Sequence, residues 1–155
     1  MNINIATDPT QNNISDISNQ LDFSKNLQTV TNKIHAANDI DEIMLEVSKD
    51  ICALFNADRL TIYSLSEDQT FITSRVKTGL DSFQDLKLPI TEHSIAGYVG
   101  LNKEIVNFED VYNKSELKKL STELSFLYEV DKRTGYRTKQ MLVAPILKAD
   151  NNELM

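Results

Sequence analysis

The spacing between apolar residues changes near residue 57, and that change points to a fold in which helices cover a sheet. From Leu21 onward, Leu27, Val30, Ile34 and Ala37 recur at steps of three or four, marking one face of a helix. Asn38 and Asp39 interrupt this run, and Glu42 follows Asp39 at the spacing of a capping box. A second helix follows, with Ile40, Ile43, Val47, Ile51, Leu54 and Phe55 on one side, and it stops near Asn56. Beyond it the period falls to two: Leu60, Ile62 and Ser64 alternate with Thr61, Tyr63 and Leu65. Ser66 to Gln69 reads as a turn, and Phe71 to Val76 as the antiparallel partner. Gly79 ends that strand. Leu86, Leu88 and Ile90 form a short edge strand, because Pro89 cannot donate to a ladder. Two amphipathic helices in series require an apolar surface to cover, and the strands supply it. The fold class is α+β.

The second half continues the pattern. Ser94 has the character of an N-cap for a short helix from Ile95 to Leu101. Glu104 to Asn107 is a brief strand, Asp110 to Leu120 a loop with a polar helix, and Gln140 to Leu147 a further strand. Lys148 to Asn152 has the composition of a hairpin turn, after which only Glu153, Leu154 and Met155 follow. The expected second arm therefore lies largely past Met155, as in a piece of a longer polypeptide. Residues 1–20 are rich in Asn, Asp, Ser, Thr and Gln and read as a disordered leader. Residues 21–155 read as one domain.

Charge and composition narrow the function. The net charge of −7 argues against general nucleic-acid binding, which neutralises many phosphates with Lys and Arg. Residues 1–70 hold 11 acids and 4 bases, whereas residues 113–155 hold 6 acids and 8 bases. A local basic excess suits one small anion, or a solvated loop of mixed charge, better than a polyanion. Cys52 is the only cysteine, so disulfide frameworks and thiolate zinc sites are excluded; among Ile51, Ala53 and Leu54 it reads as a small core residue. His35 and His93 have no carboxylate or thiol at ligand spacing. No nucleophile elbow, P-loop or paired-carboxylate set is present, so catalysis by this chain is not expected. No apolar run approaches the ~20 residues of a membrane span, and the N-terminus lacks a secretory pattern. A cytoplasmic location is the default expectation, with neither membrane nor nucleic acid as partner.

Two stretches carry chemical content. In Ser94-Ile95-Ala96-Gly97 the first helical N–H groups have no internal partner, and with the helix dipole they attract an anion. The other reading is a capped helix whose small residues serve packing. The run Lys132-Arg133-Thr134-Gly135-Tyr136-Arg137-Thr138-Lys139 reads as a loop with four cations, two hydroxyls able to donate to phosphate or sugar oxygens, and a glycine that tolerates positive φ. Asp131 either accepts from a ligand or pairs with Arg133 or Arg137 to hold the loop.

NADRLTIYSL, SIAGYV, IVNFEDVY and DKRTGYRTKQMLVAPI, in this order of elements, resemble the GAF domain family over about Leu21 to Met155. The last stretch looks like the cyclic-nucleotide-binding branch. Similar wording occurs in GAF domains attached to bacterial diguanylate cyclases and to type II secretion or pilus-assembly ATPases. The resemblance implies a central antiparallel sheet of five to six strands flanked by helices, with the last strand missing here, and a pocket between sheet and short helices. It implies a ligand-contact set of Thr61, Thr78, Ile95, Ala96, Asp131, Thr134 and Thr138. Ile95 and Ala96 would offer backbone N–H groups to a cyclic phosphate, and Asp131 would meet the base. Thr134 and Thr138 would meet ribose and phosphate, Thr61 would sit on a strand at the pocket floor, and Thr78 near the base. Lys77 stands where an aromatic often precedes that position, so stacking there is not implied. The function implied is a regulatory sensor for cAMP or cGMP that controls a C-terminal effector. The alternative is a ligand-free interaction module that forms a homodimer through its N-terminal helices, to which the stripe Leu27, Val30, Ile34 points.

Overall fold

The computed structural model describes residues 9–38, 43, 47–78 and 82–155. These divide into two compact units, 1–60 and 61–155. The proposed capping box at Asp39 and Glu42 and the strand break at Gly79 lie outside the described residues.

The first unit is helical. Helix α1 spans Pro9–Ala36 and helix α2 Ser48–Phe55. Residues 9–20, within the stretch read as a disordered leader, are thus helical, well before Leu21. Ile14, Ile17 and Leu21 keep a three-four spacing through the polar sequence. Val30 is buried, Ile34 is half-buried, and Leu27 is exposed. Lys33 Nζ donates to Asp50 at 2.6 Å, tying α1 to α2. Asn56 ends α2 in the left-handed region at φ 50, and its N–H returns to the carbonyl of Ala53. Asn is among the few residues that tolerate that conformation, so the stop near Asn56 holds. Cys52 is half-buried rather than a core residue, since no residue of α2 is fully buried. Burial, with Asp58 nearby, pushes its thiol above the ordinary value, so it stays protonated at neutral pH.

The second unit is α+β. Strand β1 is only Ser64–Leu65, shorter than the Leu60 to Leu65 expected. The turn at Ser66 to Gln69 is built by side chains. Ser66 Oγ donates to Asp68 at 2.6 Å and accepts from the Phe71 N–H at 3.0 Å, and Gln69 takes φ 56. Strand β2, Phe71–Thr78, then pairs antiparallel with both β1 and β3, Ser82–Pro89. β3 is an edge strand, and Pro89 sits at its end opposite Phe71, a place that asks for no donor.

Helix α3, Ile95–Asn102, follows. Strand β4, Val106–Phe108, pairs antiparallel with β5, Met141–Val143, and between them lie α4, Lys114–Leu117, and α5, Tyr128–Thr134. The described strands form one three-stranded and one two-stranded antiparallel sheet, rather than the single sheet of five or six strands that was expected. Residues 61–63 carry no strand ladder. At the C-terminal end the hairpin turn forms: Lys148 N–H donates to Glu153 O at 2.8 Å, and Leu147 bridges Leu154.

One core organises this unit. Ile95, Tyr98 and Val99 of α3 pack with Val106, Phe108, Val111, Leu117, Leu124 and Phe126. Tyr112, Tyr128, Met141 and Val143 close it from outside.

Candidate functional site

Two sequence features lie beside that core. The first is the start of α3. Ser94 is extended (φ −124, ψ 151), and its Oγ accepts from the Gly97 N–H at 3.1 Å. The N-cap assignment therefore holds. Gly97 is small for a reason internal to the chain: a Cβ there would lie 2.5 Å from Pro89 O, 2.7 Å from Thr91 O and 2.8 Å from Ser94 Oγ. Its face of the first turn is covered by the end of β3, so Gly97 serves packing rather than ligand approach. The Ile95 side chain is buried in the core, and Ala96 is half-buried.

The second feature is the segment from Asp131 to Thr138. Asp131 and Thr134 lie in α5 rather than in a loop, and the helix ends at Gly135 with φ 66. Asp131 is only 5% exposed. Its Oδ2 accepts from the Thr138 N–H at 2.7 Å and from the Tyr112 hydroxyl at 2.9 Å, and its Oδ1 accepts from Thr138 Oγ1 at 2.7 Å. A buried carboxylate needs such donors. Asp131 does hold this segment, but through Thr138 and Tyr112 and not through Arg137. Arg137 pairs instead with Asp110 at 3.1 Å and lies 4.5 Å from the Tyr112 ring centroid. The Tyr112 N–H and the Arg137 guanidinium hold the Asp110 carboxyl below the usual carboxylate range. Partial burial and the bond to Asp131 push the Tyr112 phenol up. Thr134 Oγ1 donates back to Val130 O at 2.9 Å within its own helix.

Neighbouring segments join the two features. Ser94 and Ser125 form an isolated parallel bridge, and Ser125 donates to His93 O through both its N–H and its hydroxyl. Phe126, the next residue, meets Tyr112 tilted at 5.5 Å and Tyr128 edge-on at 5.6 Å between ring centroids, and those two tyrosines lie 5.1 Å apart. The helix start meets the exposed Ser125, whose neighbour Phe126 packs against Tyr112, the residue that donates to Asp131.

Two candidates remain. Thr61 is exposed and precedes β1, so it is not on a strand. Thr78 closes β2 opposite Ser82, and its side chain lies outside what the structure describes. Tyr112 was not singled out from the sequence. Its hydroxyl lies 19 residues from Asp131, a separation no local pattern encodes. Among the described residues no group of three or more His, Cys, Asp or Glu could hold a metal ion, and no helix is long and apolar enough to cross a membrane.

No protein-family profile matches the chain. It is 29% identical over 130 residues to the dual 3',5'-cyclic-AMP and -GMP phosphodiesterase 11A of Takifugu rubripes, a match that takes in 74% of this chain. The chain spans about 13% of the length of that relative. The likeness is distant.

Proposed function

We propose that residues 21–155 form a GAF-like regulatory domain that binds a 3',5'-cyclic nucleotide, cAMP or cGMP, and controls an effector domain such as a diguanylate cyclase. The reading draws on two features of this unit. An eight-residue helix starts beside Ser125, and a hydroxyl- and cation-bearing segment is tied through Asp131 to Tyr112, which packs with Phe126. Helix N-terminal amides favour a cyclic phosphate, while Thr134, Thr138 and Asp131 offer the donor and acceptor types that ribose and base require. The distant likeness to a phosphodiesterase whose name specifies both cyclic nucleotides favours that ligand class over other anions. On this reading Ile95 and Ala96 supply amides, Asp131, Thr134 and Thr138 supply side chains, and no cofactor or catalytic group is required. Thr61 and Thr78 remain candidates only if the segments that carry them close over the ligand.

The experiment is a melting series of the full chain with cAMP, cGMP and the matching non-cyclic monophosphates. Ligand at a hundredfold excess over its dissociation constant stabilises by ~2.7 kcal/mol. A shift with one cyclic nucleotide and none with the non-cyclic controls is expected; no shift with either cyclic nucleotide ends this reading.

A second reading, a homodimer formed through α1, draws on the exposure of Ile14 and Ile17 at 68% and 65%. It no longer rests on Val30, which is already buried. The two readings are compatible, because a sensor has to pass its state through some contact.

A further inference from the structure

We infer that the Asp131–Thr138 contact is a clasp that competes with ligand, so that the unit opens this contact before it binds; the inference rests on the cyclic-nucleotide reading above. Ionised Asp131 is acceptor-only, and three of its acceptor sites are filled from within the chain at 2.7, 2.7 and 2.9 Å. Thr138 directs both its N–H and its hydroxyl to that one carboxylate. These are two of the groups proposed to meet ligand. A bond from Asp131 or Thr138 to a nucleotide must therefore replace one they make with each other. The chain between them is suited to such an exchange. Gly135 ends α5 at φ 66, with nothing within 4 Å of where a Cβ would stand, and only seven residues separate the two partners.

Tyr112 and Asp110 hold the clasp shut from outside the proposed ligand set. Tyr112 gives the third bond to Asp131, and its ring carries the Arg137 guanidinium, which Asp110 anchors. If only the open form binds, the apparent dissociation constant equals the intrinsic one divided by the open fraction. Loosening the clasp then tightens binding, the opposite of what loss of a merely structural bond would do.

The test measures cAMP and cGMP affinity by calorimetry for the full-length wild type, Tyr112→Phe and Asp110→Asn, with amide hydrogen exchange of residues 131–139 in the unliganded proteins. Tyr112→Phe keeps the ring against Phe126 and Tyr128 while removing one donor. Expected are faster exchange at Thr138 and affinity raised about tenfold, equivalent to ~1.4 kcal/mol. Asp110→Asn, which frees Arg137 without removing its charge, shifts affinity the same way and carries the test should Tyr112→Phe not fold. Affinity unchanged or weakened in the variants, with the wild type binding normally, overturns the clasp alone. Absence of binding in the wild type and in both variants overturns the sensor reading together with the clasp.

Discussion

A methyl group at Gly97 would stand 2.5 Å from the carbonyl oxygen of Pro89, whereas one at Gly100, a turn further along the same helix, would meet only the side chains of Ile90 and Leu154 at 3.6 Å. The first neighbour is backbone and cannot move aside; the second is ordinary van der Waals contact. Gly97→Ala should therefore destabilise by about 1–3 kcal/mol through overpacking. Gly100→Ala should be neutral or stabilise by up to ~1 kcal/mol, since alanine is the better helix former. Denaturant titration of both variants separates a packing role for Gly97 from a ligand role, because the effect is predicted without ligand. A second residue-scale prediction concerns Asp68. The Ser66 hydroxyl and the Thr70 N–H and hydroxyl lower its pKa from 3.8 to about 2. A carboxylate depressed in the folded state adds stability above its unfolded pKa, and that stability is lost as pH falls through the folded value. The melting temperatures of wild type and Asp68→Ala should thus differ at neutral pH and converge between about pH 4 and 2, and the Asp68 resonance should titrate near the bottom of that window. Convergence at higher pH would mean that the turn does not hold the carboxylate.

Among the elements, α1 shows how far periodicity reaches. At 3.6 residues per turn, Ile14, Ile17 and Leu21 lie roughly opposite Leu27, Val30 and Ile34. The helix carries two short apolar patches, not one stripe, and the unit uses the second: Val30 is 6% exposed, against 68% for Ile14. Val30→Ala should cost about 2 kcal/mol. Ile14→Ala should stay within about 0.5 kcal/mol in the unassociated chain. Helix-monitored chemical denaturation compares them, and equal losses would contradict the burial pattern. The same element shows what the sequence conceals. Its course through residues 9–20 is hidden by polar residues that suit a helix or a loop about equally well. By contrast the start of α3 was legible to the residue, because Ser94 followed by small and apolar residues has a local mechanism, the cap bond to Gly97. β1 shrank to Ser64–Leu65 because alternation shows which faces a segment offers, not whether a neighbour lies there to pair with it.

For the molecule as a whole, the α1 surface and the proposed sensor make separable predictions. If Ile14, Ile17 and Leu21 pair between copies, light scattering should find a dimer well above micromolar concentration, and Ile17→Asp should return it to monomer. Monomers at every concentration would remove the interaction reading and leave ligand binding untouched.

Read by itself, the sequence determined the α+β class, the helix-then-strand order, the Ser66 to Gln69 turn, the cap at Ser94 and the C-terminal hairpin turn. Each of these depends on groups a few residues apart, and short-range sterics and hydrogen bonding decide them. Only the tertiary structure decided that the strands divide into two sheets, that Val30 is covered while Leu27 is not, and that Asp131 is claimed by Thr138 and Tyr112 while Arg137 turns to Asp110. Those outcomes depend on which distant segments meet, and a buried carboxylate takes whichever donors the packing delivers to it.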